Sequence, residues 1–160
     1  MKRTGVSPMK TLRLSSLFPA APGKIWPLLM QVETLRYIAA PWAAFVPVTG
    51  ERAWREGTQV RFRLRIFGLP FGIHTINIHK IDPAALVIQT FEGNRLVPVW
   101  NHRIILTPVD EASTRYTDEV EIGAGPLTGA VRLWAGAFYR RRQRKWLKLL
   151  ENPEGAPHKG

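Results

Sequence analysis

Several segments of the chain alternate apolar with polar residues, which is the period of half-buried β-strands. Lys10 to Phe18 is the first of these segments. Thr58 to Phe67 is the strongest, and its two faces separate completely: Val60, Phe62, Leu64 and Ile66 on one side, Gln59, Arg61, Arg63 and Arg65 on the other. One face of each predicted strand therefore belongs to a core and the other to solvent.

A turn follows this second strand. The run Gly68–Gly72 has turn composition, and a hairpin that pivots there would set Ile76 and Ile78 beside Leu64 and Phe62. The pattern therefore predicts an antiparallel pair of strands.

Shorter patterns supply the remaining elements before residue 124. Apolar residues at helical spacing predict two brief helices, Gly23–Met30 and Glu33–Ala40. Further strand patterns occupy Leu86–Phe91, Val99–Pro108 and Thr114–Gly123, separated by turn residues. Such closely spaced turns are typical of antiparallel meanders.

The chain ends with the pattern of one long helix, predicted over Pro126–Leu150. Its first half carries an apolar stripe formed by Leu127, Val131, Trp134 and Phe138. Its second half has an apolar side opposite a basic cluster of Arg140, Arg141, Arg144, Lys145 and Lys148. A sheet with one large apolar face needs a cover. We therefore predict an α+β fold of order β-α-α-β6-α, in which a curved antiparallel sheet of about seven strands wraps around this helix.

Composition limits the class of protein. The chain has 160 residues, 45% of them apolar, and no cysteine, which excludes disulfides, thiol nucleophiles and thiolate metal sites. We expect one domain over residues 10–150, an N-terminal extension over 1–9 and a flexible tail over 151–160. The first 21 residues lack the apolar run of a signal peptide, and the cysteine content favours a reducing cytoplasm.

The order of elements and three sequence tracts together resemble one superfamily. The tracts are Trp100-Asn101-His102, the run Thr117-Asp118-Glu119-Val120-Glu121, and Tyr139-Arg140 near the end of the helix. They resemble the SRPBCC superfamily, also called START-like or helix-grip, and most of all its bacterial cyclase-like, ligand-binding branch. In that branch an aromatic residue commonly follows the second Glu, where this chain has Ile122. The resemblance implies a hydrophobic cavity between sheet and helix, but no particular reaction.

The last two predicted strands place polar residues on the core face. If they pair around residues 110–113, partners have numbers that sum to about 222, and His102 and Asp118 both point into an apolar layer. Burial requires them to find partners, because an unpaired buried carboxylate is costly. Three interpretations stay open: a structural network, the polar end of a ligand pocket, or an acid/base pair.

We expect the pocket to bind a small hydrophobic or aromatic ligand rather than transform it. Its expected ligand-binding residues are Trp100, His102, Tyr116, Asp118, Trp134 and Phe138. One alternative is a polyketide cyclase or dehydratase-like enzyme, with His102 and Asp118 as the candidate catalytic residues.

The Gly-rich run before the helix resembles a dinucleotide-binding turn, but no second parallel strand follows it, as such a site requires. His74 and His79 lie on opposite faces of a strand, so they cannot both bind one metal ion. We therefore predict no cofactor and no metal.

The excess of positive charge suggests a second alternative. The formal net charge is +11, and seven Arg and Lys residues lie between Ile122 and Leu150 without an acidic residue. Such a helix can contact an anionic membrane, here through Arg141, Arg144 and Lys148, and the protein would then carry a lipid or coenzyme Q. A solvated basic face is the simpler explanation, and we expect no nucleic-acid partner because no recognition motif accompanies the charge.

Overall fold

A computed structural model describes residues 8–152. Its elements in chain order are β1 (Lys10–Phe18), α1 (Pro22–Leu29), α2 (Val32–Ala39), β2 (Ala43–Pro47), β3 (Gln59–Ile66), β4 (Leu69–Asp82), β5 (Val87–Gly93), β6 (Val99–Asp110), β7 (Ser113–Gly123), a 3₁₀ turn (Gly125–Leu127) and α3 (Thr128–Glu151). The seven strands form one antiparallel sheet in the order β1-β7-β6-β5-β4-β3-β2. The predicted α+β class, element order and helix-grip arrangement are confirmed.

The long helix lies against the concave face of the sheet. It packs on β1, β7 and α2. Its buried residues recur every three or four positions, which gives the helix one inward stripe: Ala135, Gly136, Phe138, Tyr139, Arg142, Gln143, Trp146 and Leu149. At its start, the Thr128 hydroxyl donates to the carbonyl of Gly125 and accepts from the amide of Ala124, at 2.7 and 2.9 Å. These bonds fix the corner between β7 and α3.

The predicted β3–β4 hairpin is wrong in register. The chain reverses at Phe67 and Gly68, both with positive φ, so β4 begins at Leu69 rather than after Gly72. A two-residue turn of this kind matches the twist of paired strands. An irregularity between Arg63 and Arg65 shifts the pairing further.

The corrected register changes which residues face each other across β3 and β4. Val60 pairs with Ile76, and Phe62 pairs with His74. Because side chains alternate between faces, His74 lies on the same buried face as Ile76 and Ile78. The shift between the predicted and observed pairings is an even number of residues, so His74 faces the core in both, although it was not among the predicted pocket residues.

The buried side chains form two groups. The larger contains Phe45, Phe62, Trp100, Phe138 and Tyr139 and lies between the central strands and α3. The smaller lies where α1, β7 and the end of α3 meet, and it contains Phe18, Tyr116 and Trp146. Phe18 stacks on Tyr116 with ring centroids 4.7 Å apart. This second group closes the space beneath the C-terminal half of α3.

The predicted terminal segments lie mostly outside the described part of the chain. Residues 1–7 of the expected extension and 153–160 of the expected tail are outside it, and Glu151 still belongs to α3. No helix within residues 8–152 is both long and apolar enough to cross a bilayer.

Candidate ligand-binding site

A cavity of about 450 Å³ lies between the concave sheet face and α3. Strand residues such as Phe45, Leu64 and Ile76 form one wall, and Val131, Trp134 and Phe138 of α3 form the other. The side chains that face inward from the helix and from the strands thus leave the space between them partly unfilled. Protein sites for small molecules have volumes of this order and mostly apolar walls.

Four of the six predicted ligand-binding residues line the cavity: Trp100, His102, Trp134 and Phe138. Tyr116 and Asp118 do not. Tyr116 is fully buried in the second core group, between Phe18 and Trp146. Asp118 is 1% exposed and reaches the cavity only through its contact with His102.

The predicted pairing of β6 with β7 is confirmed, and it brings His102 and Asp118 together. Partner numbers sum to 222 from Val99–Gly123 through Pro108–Thr114, so Asp118 faces Ile104 and is diagonal to His102. Nε2 of His102 lies 2.7 Å from Oδ1 of Asp118. On the opposite face, Glu119 pairs with Arg13 of β1 rather than with Arg103, which stands opposite it in β6.

Gln143 completes the environment of Asp118. Its Nε2 donates to Oδ2 of Asp118 at 3.0 Å and to the carbonyl of Leu14 at 3.1 Å, while its Oε1 accepts from the Ser16 hydroxyl at 2.5 Å. Both oxygens of Asp118 therefore have donors. The carboxylate links β1, β6, β7 and α3 in one buried network.

A second acidic residue, Glu92, stands on the other side of His102. Its Oε1 is 2.9 Å from Nε2 of His74, and its Oε2 accepts from the Thr90 hydroxyl at 2.6 Å. Nδ1 of His102 is 3.7 Å from Oε2 of Glu92. Asn94 contacts the second ring nitrogen of His74 at 3.1 Å. The imidazole of His102 thus lies between two carboxylates.

The surroundings shift two pKa values in opposite directions. Burial opposes the charged form of Glu92, but its contacts with His102 and His74 outweigh burial and bring the pKa of Glu92 far below its ordinary value. Burial likewise opposes a charged His102, yet contacts with Asp118 and Glu92 raise the pKa of His102. The cluster therefore favours a protonated imidazole at His102 and an ionised carboxylate at Glu92.

Tyr139 joins this cluster to the helix. Its hydroxyl accepts from Nε1 of Trp100 at 2.9 Å, and its ring meets the His102 ring edge-on with centroids 5.1 Å apart. Burial raises the pKa of Tyr139 far above its ordinary range, so the hydroxyl stays protonated. It is a neutral hydrogen-bonding group at the cavity wall.

Several polar residues around the cavity were not predicted from the sequence: His74, Glu92, Arg142 and Gln143. Each was detectable by periodicity. Glu92 continues the inward alternation of Ile88 and Thr90, and Arg142 lies four positions after Phe138 and four before Trp146. Because these residues are polar, they were expected to face solvent, although their spacing indicates that they face inward.

Two of the three predicted anion-contact residues are exposed, and the third contacts an aromatic ring of the protein. Arg144 and Lys148 are exposed and lie one helical turn apart. Arg141 lies over the Trp42 ring at 5.7 Å. The neighbouring Lys145 lies over Tyr37 at 4.2 Å and donates to the carbonyl of Ala40 at 3.1 Å. Part of the basic cluster thus holds α2 against α3.

Within residues 8–152, no group of three or more His, Asp or Glu side chains is arranged to hold a metal ion. His79 is exposed and stacks near Phe91, away from the buried His74.

No family model matches the chain, and no curated protein matches it in sequence. Solved structures do match. A START superfamily protein from Mycobacterium smegmatis aligns at TM-score 0.70 and 15% identity over 89% of this chain and 97% of its own. An aromatase/cyclase from Streptomyces sp. R1128 aligns at TM-score 0.66 and 16% identity over 95% and 99%. Norcoclaurine synthase from Thalictrum flavum aligns at TM-score 0.67 and 14% identity over 97% and 91%. Together with the sheet order and the enclosed helix, these similarities show that the chain has the START-like, helix-grip fold.

Proposed function

We propose that this protein binds a small apolar or aromatic molecule in the cavity between its sheet and α3. The observation that carries the proposal is the cavity itself, about 450 Å³ of space with predominantly apolar walls. Close packing is the rule in protein interiors, and voids much larger than a water molecule are rare. A space of this size lined by aromatic and aliphatic side chains is suited to an apolar ligand.

The polar groups of the wall restrict the orientation of such a ligand. His102, Glu92 and Tyr139 are grouped along β5, β6 and α3, whereas Phe45 and Leu64 come from β2 and β3. A ligand with one polar end and one apolar end would complement both regions. We therefore propose that this protein binds or carries such a ligand, as a member of the cyclase-like, ligand-binding branch of the fold.

Native mass spectrometry of the purified protein, followed by organic extraction, tests this proposal. We expect an adduct on the native protein that extraction releases as an apolar or aromatic compound. A preparation without adduct should take up 2-naphthoic acid or 2-naphthamide in titration calorimetry. Absence of any adduct, together with failure to bind naphthyl and decyl probes, would contradict a carrier role.

A second candidate function is acid/base catalysis of the cyclase or dehydratase type. The observation that favours it is the contact of His102 with Asp118 at 2.7 Å on the cavity wall. A histidine positioned by a carboxylate can move a proton next to a carbonyl group. Raised basicity of His102 would strengthen it as a proton acceptor once it is deprotonated.

Exchange of α-protons of 2-tetralone in D₂O measures this chemistry directly. If the protein is such a catalyst, the wild type accelerates exchange, and His102→Ala removes the acceleration while 2-tetralone still binds. His79→Ala, on the exposed face of β4, is the matched control and should leave exchange unchanged. A wild type that binds 2-tetralone without accelerating exchange would exclude this candidate for ketone substrates.

A third candidate is a lipid- or coenzyme-Q-binding protein that docks on a membrane through α3. It is favoured by the exposed Arg144 and Lys148 on one face of the helix. Each basic residue near an anionic surface contributes about 1 kcal/mol. Co-sedimentation with phosphatidylserine vesicles, repeated with Arg141, Arg144 and Lys148 changed to Gln, tests it. Binding that is equal in both proteins would contradict docking through this face.

A further inference from the structure

Arg142 is a charged residue on the inward stripe of α3. It is 6% exposed and lines the cavity, between Phe138 one turn before it and Trp146 one turn after. Arginine is rarely buried to this extent unless it is paired. Its location is therefore unusual for a residue in an arginine-rich helix, where Arg140 and Arg144 on either side are exposed.

Within residues 8–152, the Arg142 guanidinium has no carboxylate oxygen within 4.0 Å. Its Nε is enclosed and has no hydrogen-bond partner. Its neighbours are aromatic faces: the Tyr139 ring centroid is 4.8 Å away and that of Phe138 is 5.7 Å away. Cation–π contact stabilises the charge but supplies no acceptor for the N–H donors of the guanidinium.

The nearby acidic residues are already occupied. Glu92 receives His74 and Thr90, and Asp118 receives His102 and Gln143. Among the charged groups of the cavity wall, the one that lacks a hydrogen-bond partner is consequently a donor, the Arg142 guanidinium, and not an acceptor. Buried donors left without partners are uncommon and costly, so a ligand that brings an acceptor would gain from this arrangement.

Arg142 keeps its charge in this environment. Burial acts to lower its pKa, but Tyr139 and the negative charge of Asp118 outweigh burial and raise the pKa of Arg142. A guanidinium has a planar pair of N–H groups that matches the two oxygens of a carboxylate. A neutral oxygen would satisfy one donor and leave the buried charge without a counter-charge.

We infer that the ligand carries a carboxylate, which binds to Arg142 while its apolar or aromatic body occupies the rest of the cavity. The inference rests on the proposed binding function and adds the chemical class of the polar end. The carboxylate belongs either to an aromatic acid or to a fatty acid, which share this group and differ in the shape of the body.

Titration calorimetry with two matched pairs of probes tests the inference: 2-naphthoic acid against 2-naphthamide, and decanoic acid against decanamide. At neutral pH each acid is ionised, and each amide has nearly the same shape without the charge. We expect at least one acid to bind about 10-fold more tightly than its amide, the effect of one charge-assisted contact. The pair that shows the preference identifies the aromatic or the aliphatic source.

The variant Arg142→Met keeps the length of the side chain and removes the charge. We expect it to bind acid and amide equally, whereas Arg140→Met, at an exposed position of the same helix, keeps the wild-type preference. Without ligand, Arg142→Met should melt above the wild type, because replacing an unpaired buried charge with an apolar group is favourable. Arg142→Lys should show an intermediate preference, since an ammonium lacks the planar pair of donors.

The outcomes separate the two proposals. If the wild type binds each amide as tightly as its acid in both pairs, the carboxylate inference is overturned and the apolar-ligand function stands. If the preference persists in Arg142→Met, or if that variant is unfolded or melts below the wild type, Arg142 has a structural role and the inference is likewise overturned. Binding of none of the four probes, in protein shown to be free of adduct, overturns both.

Discussion

At the scale of single residues, the cavity wall depends on polar groups that the strand pattern turns inward. His102 and Asp118 share a face with Trp100, Ile104 and Val120 because side chains alternate along a strand. Once inside, each needs a partner, and the diagonal offset across β6 and β7 provides one. The same requirement explains Gln143, which satisfies the second oxygen of Asp118 from α3.

Asp118→Ala should lower the free energy of unfolding by about 3–5 kcal/mol, because it leaves Nε2 of His102 and one N–H of the Gln143 amide buried without an acceptor. Urea denaturation monitored by tryptophan fluorescence measures the change. Glu119→Ala is the matched control on the next residue. Its ion pair with the exposed Arg13 contributes at most about 1 kcal/mol. Equal losses for the two variants would contradict a buried network.

The raised pKa of His102 gives stability a defined pH dependence. The folded state binds the proton more tightly than the unfolded state, whose histidine pKa is about 6.5. The added stability is therefore complete below about pH 6.5 and is lost as the pH rises through the folded-state pKa of His102. We expect stability to fall with rising pH in that window.

Denaturation curves over this pH range check the slope. His102→Gln should flatten it, whereas His79→Gln, on the exposed face of β4, should leave it as in the wild type. A slope that survives in His102→Gln would assign the titration to another group.

At the scale of elements, the two halves of α3 have different roles, and the inward stripe runs through both. Its first half contributes Val131, Trp134 and Phe138 to the cavity, and its second half contributes Trp146 and Leu149 to the second core group. Between them stand Arg142 and Gln143, the polar positions of the stripe. The first half of the helix thus borders the cavity, and its C-terminal end packs into the second core group, of which Trp146 also lines the cavity.

Gly136 lies on this stripe, in a helix interior where glycine is less stable than alanine by about 1 kcal/mol. A Cβ there would meet Leu12 at 3.9 Å, an ordinary contact, and the end of the exposed Arg140 side chain at 3.3 Å. Because that arginine is free to move, Gly136→Ala should raise the free energy of unfolding by about 0.5–1 kcal/mol through helix propensity. Thermal unfolding measures the gain.

Gly93→Ala is the contrasting variant, at the end of β5. Its Cβ would stand 2.5 Å from the backbone carbonyl oxygen of Pro98, which cannot move away as a side-chain end can. We expect this variant to be destabilised, by about 1–3 kcal/mol for an overpacked site. A loss for Gly136→Ala of similar size would mean that β1 and α3 pack more tightly than these distances indicate.

At the scale of the whole molecule, the cavity exists because the curved sheet is wider than one helix can fill. Val131→Trp should occupy part of that space and weaken binding of 2-naphthoic acid about 10-fold or more, with a stability change within about 1–3 kcal/mol. Calorimetry measures the binding, and thermal unfolding checks the fold. Leu133→Trp, at a position 75% exposed on the same helix, should leave binding unchanged. Equal effects of both variants would place the ligand outside the cavity.

Local pattern alone was enough to predict most of the fold. Alternation located β1, β3, β6 and β7 to within one or two residues, since it reflects which side of each strand meets the core. The β3–β4 hairpin failed because Phe67 adopts positive φ, which is uncommon for an aromatic residue and invisible to a turn prediction based on Gly and Pro. His74 faces the core in either register, so its polar character, and not this error, kept it out of the predicted site.

The sequence by itself determined the positions of β1, β3, β6 and β7, the pairing of β6 with β7, and the inward direction of His102 and Asp118, because these follow from periodicity and turn composition. Only the tertiary structure decided which inward residues reach the cavity. Tyr116 and Trp100 are both inward, yet one is sealed against Phe18 and the other lines open space. The distance between sheet and helix makes that difference. It depends on how α1, α2 and α3 pack together, which no single segment encodes.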